Sequence, residues 1–155
     1  MNFIYNHAAY EVARGALNLS TAALKVMLVT QAYVPDRDHD FVASASAAET
    51  VATNYVGGFG GAGRQLLVTP VFTEDDVNDR AELRFDDPTW TALGGAVNDT
   101  IQAFVVLLEV TTDADSLLVA YIDTTTGTPS LPYLTTGANL TMQVPVEGLL
   151  QFSTV

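Results

Sequence analysis

The chain has 155 residues, of which 6 are Lys or Arg and 18 are Asp or Glu, so its formal charge is −12. A chain of this length buries roughly 70% of the surface that its unfolded form exposes. With 48% apolar residues, this predicts one domain over residues 1–155. No cysteine is present, which excludes disulfides, cysteine-ligated metal sites and thiol nucleophiles. The acidic excess argues against a nucleic-acid partner, since six basic side chains are too few for a typical phosphate footprint.

Two further classes are disfavoured by the apolar pattern of the chain. No apolar run approaches the roughly 18 residues that a membrane span needs. The first residues, MNFIYN, lack the basic and apolar blocks of a signal peptide. We therefore expect a soluble, unprocessed protein without a membrane partner.

The N-terminal region predicts a short helix followed by a buried strand. Apolar residues recur at four-residue spacing, at Ile4, Ala8 and Val12. Gly15 lies where a left-handed cap would end the helix, and Asn2 is placed to cap its start. Leu24–Thr30 is apolar and β-branched, and it is too short for an independent helix, so we predict a strand.

Residues 33–63 predict a long loop or arm. The segment contains Pro35, alternating aspartates, an Ala/Ser tract and a glycine cluster, and residues 43–51 favour at most one or two helical turns. An irregular segment of this length inside a compact domain is usually an arm or a binding loop. We therefore place the contacts with any partner within residues 33–63, without assigning individual contact residues.

The rest of the chain predicts strands connected by turns. The predicted strands are Arg64–Phe72, Ala81–Phe85, Ile101–Thr111, Leu117–Asp123 and Leu140–Phe152. In the last, Leu140, Met142, Val144 and Val146 share one face, and Pro145 indicates an edge or a bulge. The third is apolar on both faces, which is typical of a central strand. Because no long helices intervene, we predict an all-β fold, an antiparallel β-sandwich or jelly-roll-like domain.

Three motifs suggest chemistry, and for each we favour a structural interpretation. Gly58–Gly63 matches the G-x-G-x-x-G pattern, but no strand-turn-helix context surrounds it, so a glycine turn is favoured over a phosphate loop. Asp36–Asp40 begins like a calcium loop but lacks the glycine and the glutamate of one, so a solvated acidic loop is favoured over a looser metal site. Residues 74–79 and 86–87 contain several carboxylates, and glycosidases use a pair of carboxylates for catalysis. Both runs lie between predicted strands, so turns are favoured over a catalytic pair.

Histidines and aromatic residues complete the candidates. His7 and His39 accompany no Gly-x-Ser-x-Gly elbow, so a hydrolase triad is unsupported. Trp90 and the six tyrosines are the material of a sugar-stacking platform, although core packing of Trp90 is favoured. We assign no catalytic, cofactor-binding or metal-ligating residue, and we expect no cofactor.

The order of several short motifs resembles a widespread group of small tailed-phage virion proteins. The matching segments, which span nearly the whole chain, are Tyr5–Ala8, Leu24–Thr30, Tyr33–Asp36 with His39, Glu49 before Tyr55, a Gly-Gly pair, Arg80–Trp90 and Leu118–Asp123. The chain departs from the group in its extra glycines at 60–63 and in its acidic middle. The resemblance implies a non-enzymatic capsid decoration, or cement, protein. It implies a homotrimer that binds the major capsid protein on the outer surface of the virion, after synthesis in the host cytoplasm.

Two alternatives remain open at this point. A phage tail or fibre component that binds a host glycan is suggested by the aromatic residues and the predicted β fold. A hydrolase is suggested by the acidic turns alone.

Overall fold

The computed structural model describes residues 1–125, 129–146 and 148–153. The protein is mostly β, with antiparallel sheets in a sandwich-like arrangement, which confirms the predicted fold class. The described residues form two helices, α1 (Asn6–Ala13) and α2 (Ala43–Ser46). The strands are β1 (Asn2–Ile4), β2 (Leu24–Thr30), β3 (Gln65–Leu66), β4 (Val71–Asp75), β5 (Arg80–Arg84), β6 (Thr89–Leu93), β7 (Thr100–Leu108), β8 (Leu117–Ile122), β9 (Tyr133–Leu134), β10 (Ala138–Thr141) and β11 (Leu150–Ser153).

The largest sheet has the order β1-β8-β7-β2-β3, and β9 also pairs with β7. All of its pairings are antiparallel. Strand β7 lies between β8 and β2, and its residues from Ala103 to Leu107 are buried. This confirms the prediction of a central strand, which is apolar on both faces because both faces are covered.

Two smaller sheets complete the sandwich-like arrangement. One pairs β10 with β6, and the other has the order β11-β5-β4. The ring of Trp90 in β6 stacks on Phe104 in β7, with a centroid separation of 5.9 Å and an interplanar angle of 17°. This aromatic pair joins the β10-β6 sheet to the largest sheet within one apolar core.

The helix α1 begins later than its apolar spacing predicts. Its cap residue is Tyr5, which makes no side-chain capping bond. The prediction that Asn2 caps the helix is wrong, because Asn2 lies in β1 and its side-chain oxygen accepts bonds from the backbone amides of Asp123 and Thr124. Gly15, at φ +75°, does follow the helix as predicted.

The predicted strand over residues 64–72 is wrong as a continuous element. It is divided into β3 and β4, which belong to different sheets. Between them, Thr69 has φ +57° and is followed by Pro70, which has no amide to donate. The backbone therefore turns at this point and leaves the first sheet.

The predicted strand over residues 140–152 is also divided, into β10 and β11. Leu140, Met142 and Val144 are buried as the alternation predicts, but Val146 is 74% exposed. The ladder with β6 ends at Thr141, and Gly148 takes φ +87° before the chain joins the sheet of β5. Pro145 therefore lies in the connection between two strands, and the predicted strand edge or bulge at this residue is wrong.

A buried charge cluster and the surface above it

The most distinctive polar feature of the protein is a buried arginine. Arg64 directly follows the glycine cluster, and its side chain is 0% exposed. Its guanidinium nitrogens lie 2.8 Å from Glu49, 3.1 Å from Glu109 and 2.6 Å from Asp113. We call Arg64 and these three carboxylates the charge cluster. The fork of the guanidinium matches carboxylates with paired hydrogen bonds, which explains why one cation engages all three.

The charge cluster extends to neighbouring polar groups. The hydroxyl of Tyr55 donates to Glu49 at 2.7 Å and accepts a bond from the amide of Leu28. The ammonium of Lys25 forms an ion pair with Glu109. Two cations and three carboxylates therefore share one partly buried network that joins β2, the end of β7 and residues 49–64.

The pKa values within this network follow from its geometry. Burial opposes the charge of Arg64, but hydrogen bonds to Glu49 and Asp113 outweigh burial and raise its pKa. Burial likewise acts to raise the pKa of Glu109, but bonds from Lys25, Gly60 and Arg64 lower it overall. Both Arg64 and Glu109 therefore favour their charged forms.

The glycine motif donates its backbone amides to the protein's own carboxylates. The amide of Gly58 donates to Glu49 at 2.9 Å, and that of Gly60 donates to Glu109 at 3.0 Å. Two further amides, those of Gly61 and Gly63, donate to carbonyls of the same loop. The favoured interpretation as a glycine turn agrees with this geometry, because these donors are directed at internal acceptors.

The loop also requires glycine for close approach. A Cβ atom at Gly61 would lie 2.3 Å from the carbonyl oxygen of Val56. We expect Gly61→Ala to lower the free energy of unfolding by about 1–3 kcal/mol, because the backbone must shift. Ala62→Ser at the exposed neighbouring position should change it by less than about 0.5 kcal/mol. Urea unfolding of both variants tests this, and equal stability would contradict the close packing.

Residues 33–63 fold back on the sheets along their inner side. Backbone bonds join Thr30 to Ala48 and Leu28 to Thr50, and single bridges pair Val29 with Glu49 and Phe41 with Leu117. The buried apolar residues of this segment are Tyr33, Val42, Ala45, Ala48, Ala52 and Tyr55. Together with the charge cluster, these contacts fix the inner side of the segment.

The outer side of the same segment exposes apolar side chains. They are Val34, Phe41, Val51, Val56 and Phe59. Val56 is 62% exposed and Phe59 is 47% exposed, and both lie in or beside the glycine loop. We call these five residues the loop surface. It combines a fixed backbone with exposed apolar area, which is the combination that lowers the entropic cost of binding.

The acidic loop of residues 36–40 makes contacts within itself and with the N-terminal residues. Asp36 accepts a bond from the amide of Asp38, and Asp38 accepts one from the side chain of Asn6. Arg37 lies 5.1 Å over the ring of Phe3. Over residues 1–125, 129–146 and 148–153, no three His, Asp or Glu side chains are grouped to hold a metal ion.

The other acidic runs form turns. Asp75 accepts bonds from the amides of Val77 and Asn78, which closes the turn between β4 and β5. Asp86 accepts a bond from Thr69, and Asp87 accepts one from the amide of Val144. Asp75 therefore has the turn role that we favoured, whereas Asp86 and Asp87 hold the connection between β5 and β6.

The histidines and Trp90 also occupy structural positions. His7 lies 3.6 Å from Glu11 and packs beside Phe41. His39 shares a hydrogen bond with Tyr33, whose hydroxyl also contacts that of Tyr5. Trp90 is 2% exposed, and its indole nitrogen donates to the carbonyl of Gly63 at 2.6 Å. The favoured core role of Trp90 is therefore confirmed, and the sugar platform loses its central residue.

Buried tyrosines make the fold sensitive to alkali. Burial raises the pKa of both Tyr5 and Tyr55 above the ordinary value of 10.0. The unfolded chain therefore releases these protons first, so their stabilising contribution is present below pH 10 and declines as the pH rises above it. We expect the urea midpoint to fall between pH 9 and pH 11, and Tyr55→Phe to reduce the fall more than Tyr10→Phe at an exposed site. A midpoint that does not change over this interval would contradict the burial of these hydroxyls.

Sequence reasoning missed the charge cluster entirely. Glu49 and Arg64 lie far along the chain from Glu109 and Asp113, and only the fold brings the four residues together. One signal was present: Glu109 is a charged residue that directly follows an apolar run. A charge beside a predicted buried strand requires a partner.

Comparisons with known proteins add no identification. No protein family, curated protein or solved structure matches this chain. Neither helix of the described residues is long and apolar enough to cross a membrane. The resemblance to phage virion proteins therefore stays a prediction.

Proposed function

We infer that the protein is a non-enzymatic structural component of a tailed-phage virion. In this role it decorates the outer capsid surface by binding the major capsid protein, as a homotrimer. The loop surface is the part of the molecule that makes the contact. The resemblance described above is one support for this role, and the geometry of residues 33–63 is the other.

The observation that carries the proposal is the contrast between the two sides of this segment. On the inner side, Arg64, Glu49 and the glycine amides bond to one another. On the outer side, Val56 and Phe59 expose apolar area that no described residue covers. Such an arrangement suits binding to a fixed protein surface, because little ordering is needed on contact.

Repetition on a shell makes a modest contact sufficient. A capsid offers many identical sites, and a ligand that binds only the assembled form stabilises that form. A trimer presents three copies of the loop surface at once, which multiplies the effective affinity. The net charge of −12 on each chain keeps decorated particles apart in solution.

Co-sedimentation tests the proposal. Purified protein is mixed with undecorated capsids of the phage that encodes it, and we expect it to sediment with them and to raise their melting temperature. Phe59→Ser should weaken sedimentation by about tenfold, as for an apolar residue at an interface centre. Val146→Ser, at an apolar site outside the segment that is even more exposed, is the control.

Oligomeric state is measured on the same samples by analytical ultracentrifugation, where the proposal expects a trimer. If the protein stays in the supernatant when the capsids sediment, and the melting temperature of the capsids does not change, capsid decoration is refuted. Equal loss of binding in Phe59→Ser and Val146→Ser would refute the loop surface as the contact while leaving decoration in place.

A further inference from the structure

A second surface lies on the hairpin of β4 and β5, apart from the loop surface. Strand β4 ends its sheet, and it pairs with β5 alone. Its first four residues, Val71 to Glu74, are all exposed. In an antiparallel pair, alternate residues direct their N–H and C=O groups away from the partner strand, so β4 presents an open edge.

The face of this hairpin borders a groove that has two halves. The apolar half, of about 500 Å³, lies between the hairpin and the turn after α1, where Val12, Leu17 and Leu19 line it. The acidic half, of about 590 Å³, lies at the tip of the hairpin, where Glu74 and Asp76 line it. Both halves share three residues, Phe72, Ala81 and Phe152.

Phe72 is the apolar centre of this groove. It is 51% exposed although it lies within a strand, and it lines both halves. Ala81 is also exposed, and it pairs with Phe152 of β11 across the sheet. Exposed aromatic area in a groove is typical of a contact site for another protein segment.

The acidic half carries charge that is not neutralised locally. Arg80, the cation of the hairpin tip, contacts Asp75 and Glu82. Glu74 and Asp76 are exposed and form no ion pair with any residue that the structure describes. The tip therefore offers two carboxylates to an incoming cation.

We propose that this groove and the open edge of β4 bind an extended protein segment in which apolar residues alternate with Lys or Arg. The segment adds as a strand to β4, its apolar side chains contact Phe72 in the apolar half, and its cationic side chains face Glu74 and Asp76. Backbone bonds along β4 supply affinity, and the two halves of the groove supply specificity.

Charge argues against a second copy of the chain as the occupant. Antiparallel pairing of β4 with itself about Thr73 would place Glu74 of each copy opposite Phe72 of the other, so it would bring no cation to the carboxylates. A basic partner supplies this cation, and its binding is independent of the proposed capsid contact.

A peptide titration tests the proposal on the full-length protein without capsids. The probe is a short alternating Lys-Val peptide, followed by backbone amide shifts in nuclear magnetic resonance spectra. We expect shifts centred on residues 71–76, and about tenfold weaker binding for Phe72→Ser. Glu74→Gln combined with Asp76→Asn should weaken binding and reduce its dependence on salt, whereas Asp36→Asn, an acid elsewhere on the surface, should leave both unchanged.

Two further peptides separate strand addition from simple charge attraction on the wild-type protein. Methylation of alternate backbone nitrogens on one edge of the peptide should abolish binding, and methylation on the other edge should not. Equal binding by both methylated peptides, or equal binding by an alternating Glu-Val peptide, would overturn the proposal. A dimer of the protein alone that Phe72→Ser dissociates would also overturn it, in favour of a second copy.

Discussion

Arg64→Met is expected to lower the free energy of unfolding by about 3–5 kcal/mol, because it leaves carboxylates of the charge cluster without their buried cation. Arg64 is fully buried, whereas the carboxylates around it are directed inward by the fold. Methionine fills a similar volume, so the loss would come from uncompensated charge and not from a cavity. Urea unfolding followed by circular dichroism measures the change.

Two controls make this prediction specific. Arg14→Met removes an exposed arginine that pairs with Glu11, and it should cost at most about 0.5 kcal/mol. Glu49→Gln added to Arg64→Met should recover part of the loss, since it removes one of the unpaired charges. An Arg64→Met protein as stable as Arg14→Met would show that the charge cluster contributes nothing to folding.

Trp90→Ala is expected to lower the free energy of unfolding by about 3–5 kcal/mol, the range for truncating a buried aromatic residue. Trp90 stacks on Phe104, and its indole nitrogen satisfies the carbonyl of Gly63. The substitution therefore opens a cavity between two sheets and leaves a carbonyl at the end of the glycine loop without its donor. Thermal and urea unfolding give the loss directly.

Trp90→Phe separates these two effects. It keeps most of the ring stacking but removes the donor, so it should cost about 1–3 kcal/mol. Tyr10→Ala removes an exposed ring and should change stability by less than about 0.5 kcal/mol. If Trp90→Ala cost no more than Tyr10→Ala, the placement of this ring in the core would be wrong.

The sequence patterns that predicted elements correctly are those with strong local signals. Leu24–Thr30 forms β2 with the predicted bounds, and the apolar run after residue 100 forms the central strand β7. Both are apolar on two faces, and burial of such runs on two sides is hard to avoid. Gly15 after α1 is a similar local signal.

The elements that were missed depend on distant partners. Strands β1 and β9 have three and two residues, and each exists because it pairs with a long strand of the largest sheet. The tail of the chain alternates through Val146, yet the pairing of β10 already ends at Thr141. Local patterns do not contain this information, because it resides in pairings between segments far apart in the chain.

The charge cluster was unpredictable for the same reason. Arg64 and Glu109 are 45 residues apart, and Arg64 and Asp113 are 49 residues apart. The sequence indicated the glycine cluster and its turn, but not that its amides would find Glu49 and Glu109. The composition indicated that carboxylates would be the main charged groups of the protein. The topology determines which of these carboxylates contact Arg64.

Amide hydrogen exchange tests most directly whether the charge cluster fixes the glycine loop beneath its exposed apolar surface. In the wild-type protein, the amides of Gly58 and Gly63 should exchange far more slowly than in an unstructured peptide, because both are hydrogen-bonded. In Arg64→Met, measured where the protein remains folded, these amides should lose protection while the amides of β7 keep theirs. Exchange of Gly58 and Gly63 at the unstructured rate in the wild-type protein would contradict the account.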